Sequence, residues 1–261
     1  CGHCPICLAG FGANCPNAKD GLNGGYQGEF YRAINADGAL VKIPGQPSDY
    51  SDDQLASLTT LADVMPTGFH AAKAADVHEG DTVVVFGDGA VGLCAVISAK
   101  LLGAKRIIAM SRHEDRAALA RDFGATDIIA ERGEEAIQKI MSLTNGYGAD
   151  AALECVGTKQ AIESAFQAVR AGGRVGRVGV PHDVDYNEWI DSLFWKNIQL
   201  GGGVASVARW DKEILLEAVL SGEINPGRVS TAEFSLDEIQ KAYEAMDQRT
   251  AIKSLLRISE G

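Results

Sequence analysis

The stretch DTVVVFGDGAVG, residues 81–92, decides the fold. Residues 81–87 are a continuous apolar, β-branched run, the composition of a strand buried on both faces. Gly87, Gly89 and Gly92 then set out a G-x-G-x-x-G, and a helical pattern covers 90–102. Strand, glycine turn and helix in that order are the context that a dinucleotide-binding turn requires. Gly87 permits the tight turn, Gly89 lets a pyrophosphate approach the backbone, and Gly92 lets helix and strand pack closely. The helix N-terminus offers free N–H groups and partial positive charge to the phosphates. Gly87, Gly89, Val91 and Gly92 are therefore the cofactor-binding candidates of this turn. The alternative is a glycine-rich β–α turn with no ligand.

Outward from this turn, strands and helices alternate. Strands are expected over 106–110, 126–130, 149–156 and 174–180, and helices over 115–123, 134–143 and 159–169. Such alternation implies parallel βαβ units with right-handed crossovers, hence an α/β, doubly wound parallel (Rossmann) sheet. Its ligands belong at the carboxyl ends of the strands. Upstream, residues 1–28 read as a loop, and 29–45 as two short strands around an Asp37-Gly38 turn. Helices follow over 51–62 and 63–75. Downstream, 211–221 and 236–247 are amphipathic helices separated by a Pro226-Gly227 breaker, and 253–258 is a closing strand. Three segments result: 1–64, a cofactor-binding 65–204, and 205–261.

The second strand ends in Met110-Ser111-Arg112-His113. An acid that would bind a ribose 2′-hydroxyl is missing there, and an arginine stands beside its place. Ser111 can hydrogen-bond a 2′-phosphate and Arg112 can match its charge, with Arg116 one helical turn on. The pattern favours NADP(H) over NAD(H). Ser111 also starts a Ser-x-x-Glu with Glu114, which fits a helix capping box.

The N-terminal run CGHCPICLAGFGANC places Cys1, Cys4, Cys7 and Cys15 at C-x2-C-x2-C-x7-C spacing. Four thiolates this close suit one tetrahedral Zn²⁺ with every position filled by protein, a structural site with no place for substrate. Two disulfides, or a redox C-x-x-C, are the alternatives. Cys94 and Cys155 sit in apolar surroundings and read as reduced core thiols.

Net charge is −11 over 261 residues, so phosphate backbones are repelled and nucleic acid is not an expected partner. No apolar run reaches the ~18 residues of a membrane span. With no visible signal peptide, a cytoplasmic setting is expected. The first residue is Cys rather than Met, as in a processed product or a fragment.

Together the four-Cys lobe, the Asp-x-x-Pro-Thr-Gly stretch at 63–68 and the G-x-G-x-x-G resemble the zinc-dependent medium-chain alcohol dehydrogenases. Glu154-Cys155-Val156-Gly157, Val178-Gly179-Val180 and Gly202-Gly203-Val204 follow in that family's order. The resemblance covers essentially the whole chain. It implies a partial, mostly β GroES-like catalytic domain beside the Rossmann domain, with 205–261 returning to it. It implies hydride transfer between NADP(H) and a small alcohol, aldehyde or ketone, and a homo-oligomer. It gives Cys1, Cys4, Cys7 and Cys15 the structural zinc, and matches Asp63 to the third ligand of the catalytic zinc. Asp63 is equally placed to cap the helix that follows it. Thr67 and the Val178–Val180 backbone match groups near the nicotinamide, and Lys253 a residue on the cofactor phosphates.

In that family the first two catalytic ligands, a Cys and a His followed by Glu, precede the four-Cys lobe. Only Asp63 of the set is in this sequence, and three protein ligands are needed. The expectation is cofactor binding with poor turnover. His78-Glu79 reads as a solvent-exposed pair before the first sheet strand, and His70 as a helix residue. A non-catalytic NADP- and zinc-binding module, and a polyol or quinone reductase of the same superfamily, are the competing functions.

Overall fold

A computed structural model of the chain describes residues 1–18, 27–182 and 189–258. The chain divides into two compact units, residues 67–205 and residues 1–66 with 206–261.

The first unit is built on six parallel strands: β1 (Thr82–Phe86), β2 (Arg106–Met110), β3 (Asp127–Ile129), β4 (Ala149–Glu154), β5 (Val169–Arg177) and β6 (Gln199–Gly202). Their order is β3-β2-β1-β4-β5-β6, so the chain reverses direction across the sheet between β1 and β4. In open α/β sheets the ligand crevice lies at that switch point, outside the carboxyl ends. In register, Val84 of β1 lies between Ile108 of β2 and Ala152 of β4. Val83, Val84 and Val85 are all fully buried, as a strand covered on both faces must be. The core on one face gathers Phe86, Met110, Ile140, Phe166 and Trp189. Helix α5 (Ala90–Leu101) leads from β1 and is buried continuously from Gly92 to Ala99. The crossovers on to β6 are α6 (Glu114–Phe123), α7 (Gly133–Leu143), α8 (Lys159–Ala168) and α9 (Ile190–Lys196).

The second unit carries the short α1 (Pro5–Leu8) and α2 (Ala36–Ala39), then α3 (Asp52–Thr60), α10 (Arg209–Leu220) and α11 (Ile239–Asp247). Helix α4 (Val64–Ala74) spans the boundary between the units. Strands β7 (Ser230–Ser235) and β8 (Lys253–Arg257) pair in parallel. Ser51 starts α3 with a reciprocal capping box to Gln54.

Two expectations need correction. Residues 29–45 form no strands among the described residues. Asn35 takes the left-handed conformation, and Ala36–Ala39 make one helical turn across the expected Asp37-Gly38 hairpin. A strand persists only when a neighbouring strand satisfies its backbone, and none pairs there. The strand read at 174–180 instead runs from Val169 to Arg177, which leaves Val178 and Val180 in the loop beyond its carboxyl end. Part of the 1–28 loop, residues 19–26, lies outside the described residues.

Candidate cofactor crevice and metal centre

The turn after β1 has the geometry its glycines were read for. Gly87 sits at φ +114, a region that side chains avoid. A Cβ on Gly92 would lie 2.0 Å from the Gly87 carbonyl oxygen, so helix and strand meet backbone to backbone. Gly89 is the N-cap of α5, and a Cβ there would meet nothing within 4 Å. The cradle is thus open in front of the first N–H groups of α5, which have no helical partner. It fits a pyrophosphate.

Beside it, the carboxyl ends of β2 and β3 form the second part of the crevice. The Ser111 N–H donates to the Ile129 carbonyl at 3.0 Å and keeps the two strand ends together. Ser111 is 1% exposed, and its hydroxyl donates to Asp88 Oδ2 at 2.8 Å. It does not cap α6: the N-cap is His113, with no side-chain cap bond. The capping-box expectation fails because α6 starts only at Glu114, after an N-cap at His113, while the Ser111 hydroxyl turns to the Asp88 carboxylate and donates to it. Arg116 pairs with the other oxygen of the same carboxylate, Nη1 to Oδ1 at 3.5 Å. Arg112 is exposed.

Asp88 and Arg132 were not singled out from sequence. Arg132 ends the β3 loop as the N-cap of α7. Its guanidinium is held below the usual arginine range, first by burial; the Asp88 charge counters this and the like charge of Arg112 adds to it. Three guanidinium groups, of Arg112, Arg116 and Arg132, and the Asp88 carboxylate therefore gather beside the ends of β2 and β3.

The carboxyl ends of β4 and β5 form the other wall. Glu154 is fully buried at the last position of β4. Val178 and Val180 follow β5, and the Val180 side chain is 68% exposed. Burial pushes the Cys155 thiol well up, aided by the Glu154 charge and Cys94, so Cys155 does not act as a thiolate.

In the other unit the four N-terminal cysteines converge. Their sulfurs all lie within 4.8 Å of one another. Cys15–Cys1, Cys4–Cys15 and Cys1–Cys7 are 3.5, 3.8 and 4.0 Å apart. Disulfide sulfurs sit about 2.05 Å apart, so these are free thiols. Zn–S bonds of about 2.3 Å place the sulfurs of a tetrahedron about 3.8 Å apart, and the cluster fits Zn²⁺. Helix α1 aids it, since the Cys7 N–H donates to Cys4 Sγ at 3.5 Å. The Cys7 thiol is lowered to about 7, chiefly by the Gly2 backbone N–H.

Asp63 is exposed on the turn before α4, and Thr67 is half-buried in its first turns. Among the described residues, the four cysteines are the one group of three or more side chains placed to hold a metal, so Asp63 does not make a second site. Lys253 opens β8 and is half-buried. His78 is exposed, as expected, and meets Arg174 Nη1 at 3.0 Å. No described helix is long and apolar enough to cross a membrane.

Comparison with known proteins gives this geometry its context. Residues 90–213 match the model of the zinc-binding dehydrogenase family. The NADP-dependent isopropanol dehydrogenase of Thermoanaerobacter brockii is 34% identical over 239 residues, which are 89% of this chain and 64% of that protein. Sorbitol dehydrogenase of Bacillus subtilis is 30% identical over 248 residues, 94% of this chain and 67% of that protein. The apo structure of zinc dependent alcohol dehydrogenase 2 from Streptococcus pneumonia superposes with a TM-score of 0.81 at 28% identity, covering all of this chain and 74% of that one. An alcohol dehydrogenase of Cupriavidus necator is matched over 59% of its length, so the chain spans less than two thirds of several such relatives.

Proposed function

This chain belongs to the zinc-type medium-chain alcohol dehydrogenases, and on that premise we propose that it serves hydride transfer between NADP(H) and a small alcohol, aldehyde or ketone. The observation that carries the reading is the open glycine cradle at the switch point of the β3-β2-β1-β4-β5-β6 sheet. Bound there, the nicotinamide cofactor supplies or accepts the hydride. The chain's own residues bind and orient it. Gly87, Gly89, Val91 and Gly92 bring backbone N–H groups to the pyrophosphate. Ser111, Arg112 and Arg132 meet a 2′-phosphate, with Arg116 held close by Asp88. Val178 and Val180 line the nicotinamide end, and Lys253 is assigned to the cofactor phosphates.

Cys1, Cys4, Cys7 and Cys15 hold a structural zinc that pins the N-terminal loop. Asp63 is assigned to a catalytic zinc, and Thr67 to the substrate side of the nicotinamide. Asp63 supplies one carboxylate, where a catalytic zinc takes three protein ligands. The substrate is a small molecule, and nucleic acid is not a partner. Self-association is assigned to the edge strand β6, where Leu200 and the neighbouring Phe194 and Trp195 are exposed.

Titration with NADPH and NADH, with a steady-state assay on simple ketones and aldehydes, tests the reading. NADPH binding at least tenfold tighter, with turnover, supports it. NADPH binding without turnover favours a non-catalytic binding module. A second reading comes from Asp88: its carboxylate can accept from a ribose 2′-hydroxyl, and equal or tighter NADH binding would establish NAD(H) as the cofactor.

A further inference from the structure

We infer that Glu154 is a positioning residue whose buried carboxylate sets the nicotinamide wall of the crevice, an inference that rests on the cofactor reading above. Glu154 is 0% exposed, yet it is an ionisable group at the mouth of a ligand crevice. One oxygen, Oε1, accepts the N–H groups of both Val156 and Gly157 at 2.7 Å. The Glu154 backbone carbonyl accepts from Val178 at 2.9 Å and Gly179 at 3.1 Å. A single residue therefore ties together the two loops that leave β4 and β5.

The loops are in contact through glycines. A Cβ on Gly157 would lie 1.9 Å from the Val180 carbonyl oxygen, and one on Gly179 would lie 2.2 Å from the Gly157 nitrogen. The same β4 loop also reaches the phosphate turn. The Cys155 N–H donates to the Phe86 carbonyl at 3.0 Å, and a Cβ on Gly87 would lie 3.1 Å from Val156 Cγ2. The side chains of Val156 and Val180 then stand open on either side, 41% and 68% exposed. In a two-half dinucleotide fold the adenosine half lies over β1 and β2, so the second nucleotide lies over β4 and β5. Val156 and Val180 face that half.

The second carboxylate oxygen explains why the residue is an acid. Oε2 makes no hydrogen bond, and it faces Arg177 Nε at 3.5 Å. Arg177 ends β5, and its carbonyl accepts the Gly203 N–H at 2.7 Å beyond β6. The buried charge pair thus links the carboxyl ends of β4, β5 and β6. Buried pairs add little net stability compared with apolar packing but fix one arrangement against others. That is what a wall flanking a flat ring needs.

The test compares two ligands. NADPH uses both halves of the crevice, whereas adenosine 2′,5′-bisphosphate uses the adenosine half alone. For Glu154→Gln, which keeps shape and loses charge, NADPH affinity is expected to fall about tenfold with bisphosphate affinity unchanged. Glu154→Ala is expected to lose NADPH affinity further, with a lower melting temperature. Parallel weakening of both ligands in Glu154→Gln, or no change in either, overturns the inference. Wild-type protein that binds neither ligand overturns the cofactor reading, and the inference with it.

Discussion

The Ser111 hydroxyl donates to the carboxylate of Asp88 at 2.8 Å, so the end of β2 is tied to the second residue of the glycine turn. The residue expected to greet a 2′-phosphate is already engaged, and so is Arg116. Asp88 thereby opposes a phosphate twice, through its charge and by occupying two donors. Asp88→Asn should release both and tighten NADPH binding about tenfold, since bonds to charged groups contribute about 1.5–3 kcal/mol each. NADH binding should stay level or weaken. Calorimetric titration of both cofactors decides it, and weaker NADPH binding by the variant would show that Asp88 organises the pocket instead.

Arg112 and Arg132 approach the same end from adjacent strands. Their like charges repel, which Asp88 and Glu131 partly counter, and an anion between them would be drawn to both. Arg112→Ala and Arg132→Ala should each cost at least tenfold in NADPH affinity and little for NADH. The wild-type preference should also shrink as salt rises, because exposed charges are screened. A preference that survives 1 M salt would place the selectivity elsewhere.

The four cysteines should hold one zinc tightly. Closed sites contribute folding energy directly, and the N-terminal loop has little buried apolar surface of its own. Cys7→Ser should release the metal and lower the thermal midpoint of the unit that contains it. Elemental analysis of protein purified without chelator, and the same after mutation, is the check. Wild-type protein with free thiols and no zinc would exclude the site.

Asp150 supplies a pH-dependent contribution to the sheet. Its Oδ2 accepts the Thr82 N–H at 2.8 Å and Oδ1 accepts from Arg170 Nε at 2.8 Å, joining β4 to the start of β1. Burial works against the charged form, but the Thr82 N–H and the Arg170 guanidinium outweigh it and hold the carboxyl below its ordinary range. A folded-state value below the unfolded one, about 3.9, means stability present above that pH and lost as pH falls through the folded value. Asp150→Asn should cost about 1 kcal/mol at pH 7. The difference in melting temperature should shrink as pH falls through the folded-state value of Asp150. A constant difference from pH 7 to 3 would mean that shape, not charge, is what the substitution removes.

The sheet was legible because its signals are local. Val83–Val85, the glycine turn and the β-branched RIIAM run of β2 each identify themselves within a few residues. Strand β6 was not, since QLGG is short, half glycine and defined only by pairing with β5. Residues 29–45 misled for the complementary reason: FYRAI and ALVKI have strand composition, and composition cannot show whether a neighbour exists. In the crevice, Ser111 and Arg112 could be read from their position after β2. Asp88, Arg132 and Arg177 could not, because their roles depend on which strand ends lie side by side. Glu154 left a trace, an acid inside the apolar AALECVG run, whose meaning needed the loops it ties.

The two later glycines of the turn should fail in different ways, and the pair separates fold from function. At Gly92 a Cβ would lie 2.0 Å from the Gly87 oxygen and 2.7 Å from its carbonyl carbon, both backbone atoms that cannot swing aside. Relief requires β1 and α5 to part, and both are buried over most of their length. Gly92→Ala should therefore destabilise by about 3 kcal/mol, at the upper end of overpacking effects, and weaken cofactor binding through the distorted turn. At Gly89 a Cβ meets nothing within 4 Å, and its φ of −79 suits any residue. Gly89→Ala should leave the melting temperature within about 2 °C, since substitutions away from packed features stay within about 0.5 kcal/mol. Its methyl group would nevertheless stand where the pyrophosphate approaches the backbone, so NADPH affinity should drop at least tenfold. Thermal melts and titrations of both variants make the comparison. A Gly89→Ala protein that binds NADPH normally would mean that the phosphates do not lie against this turn.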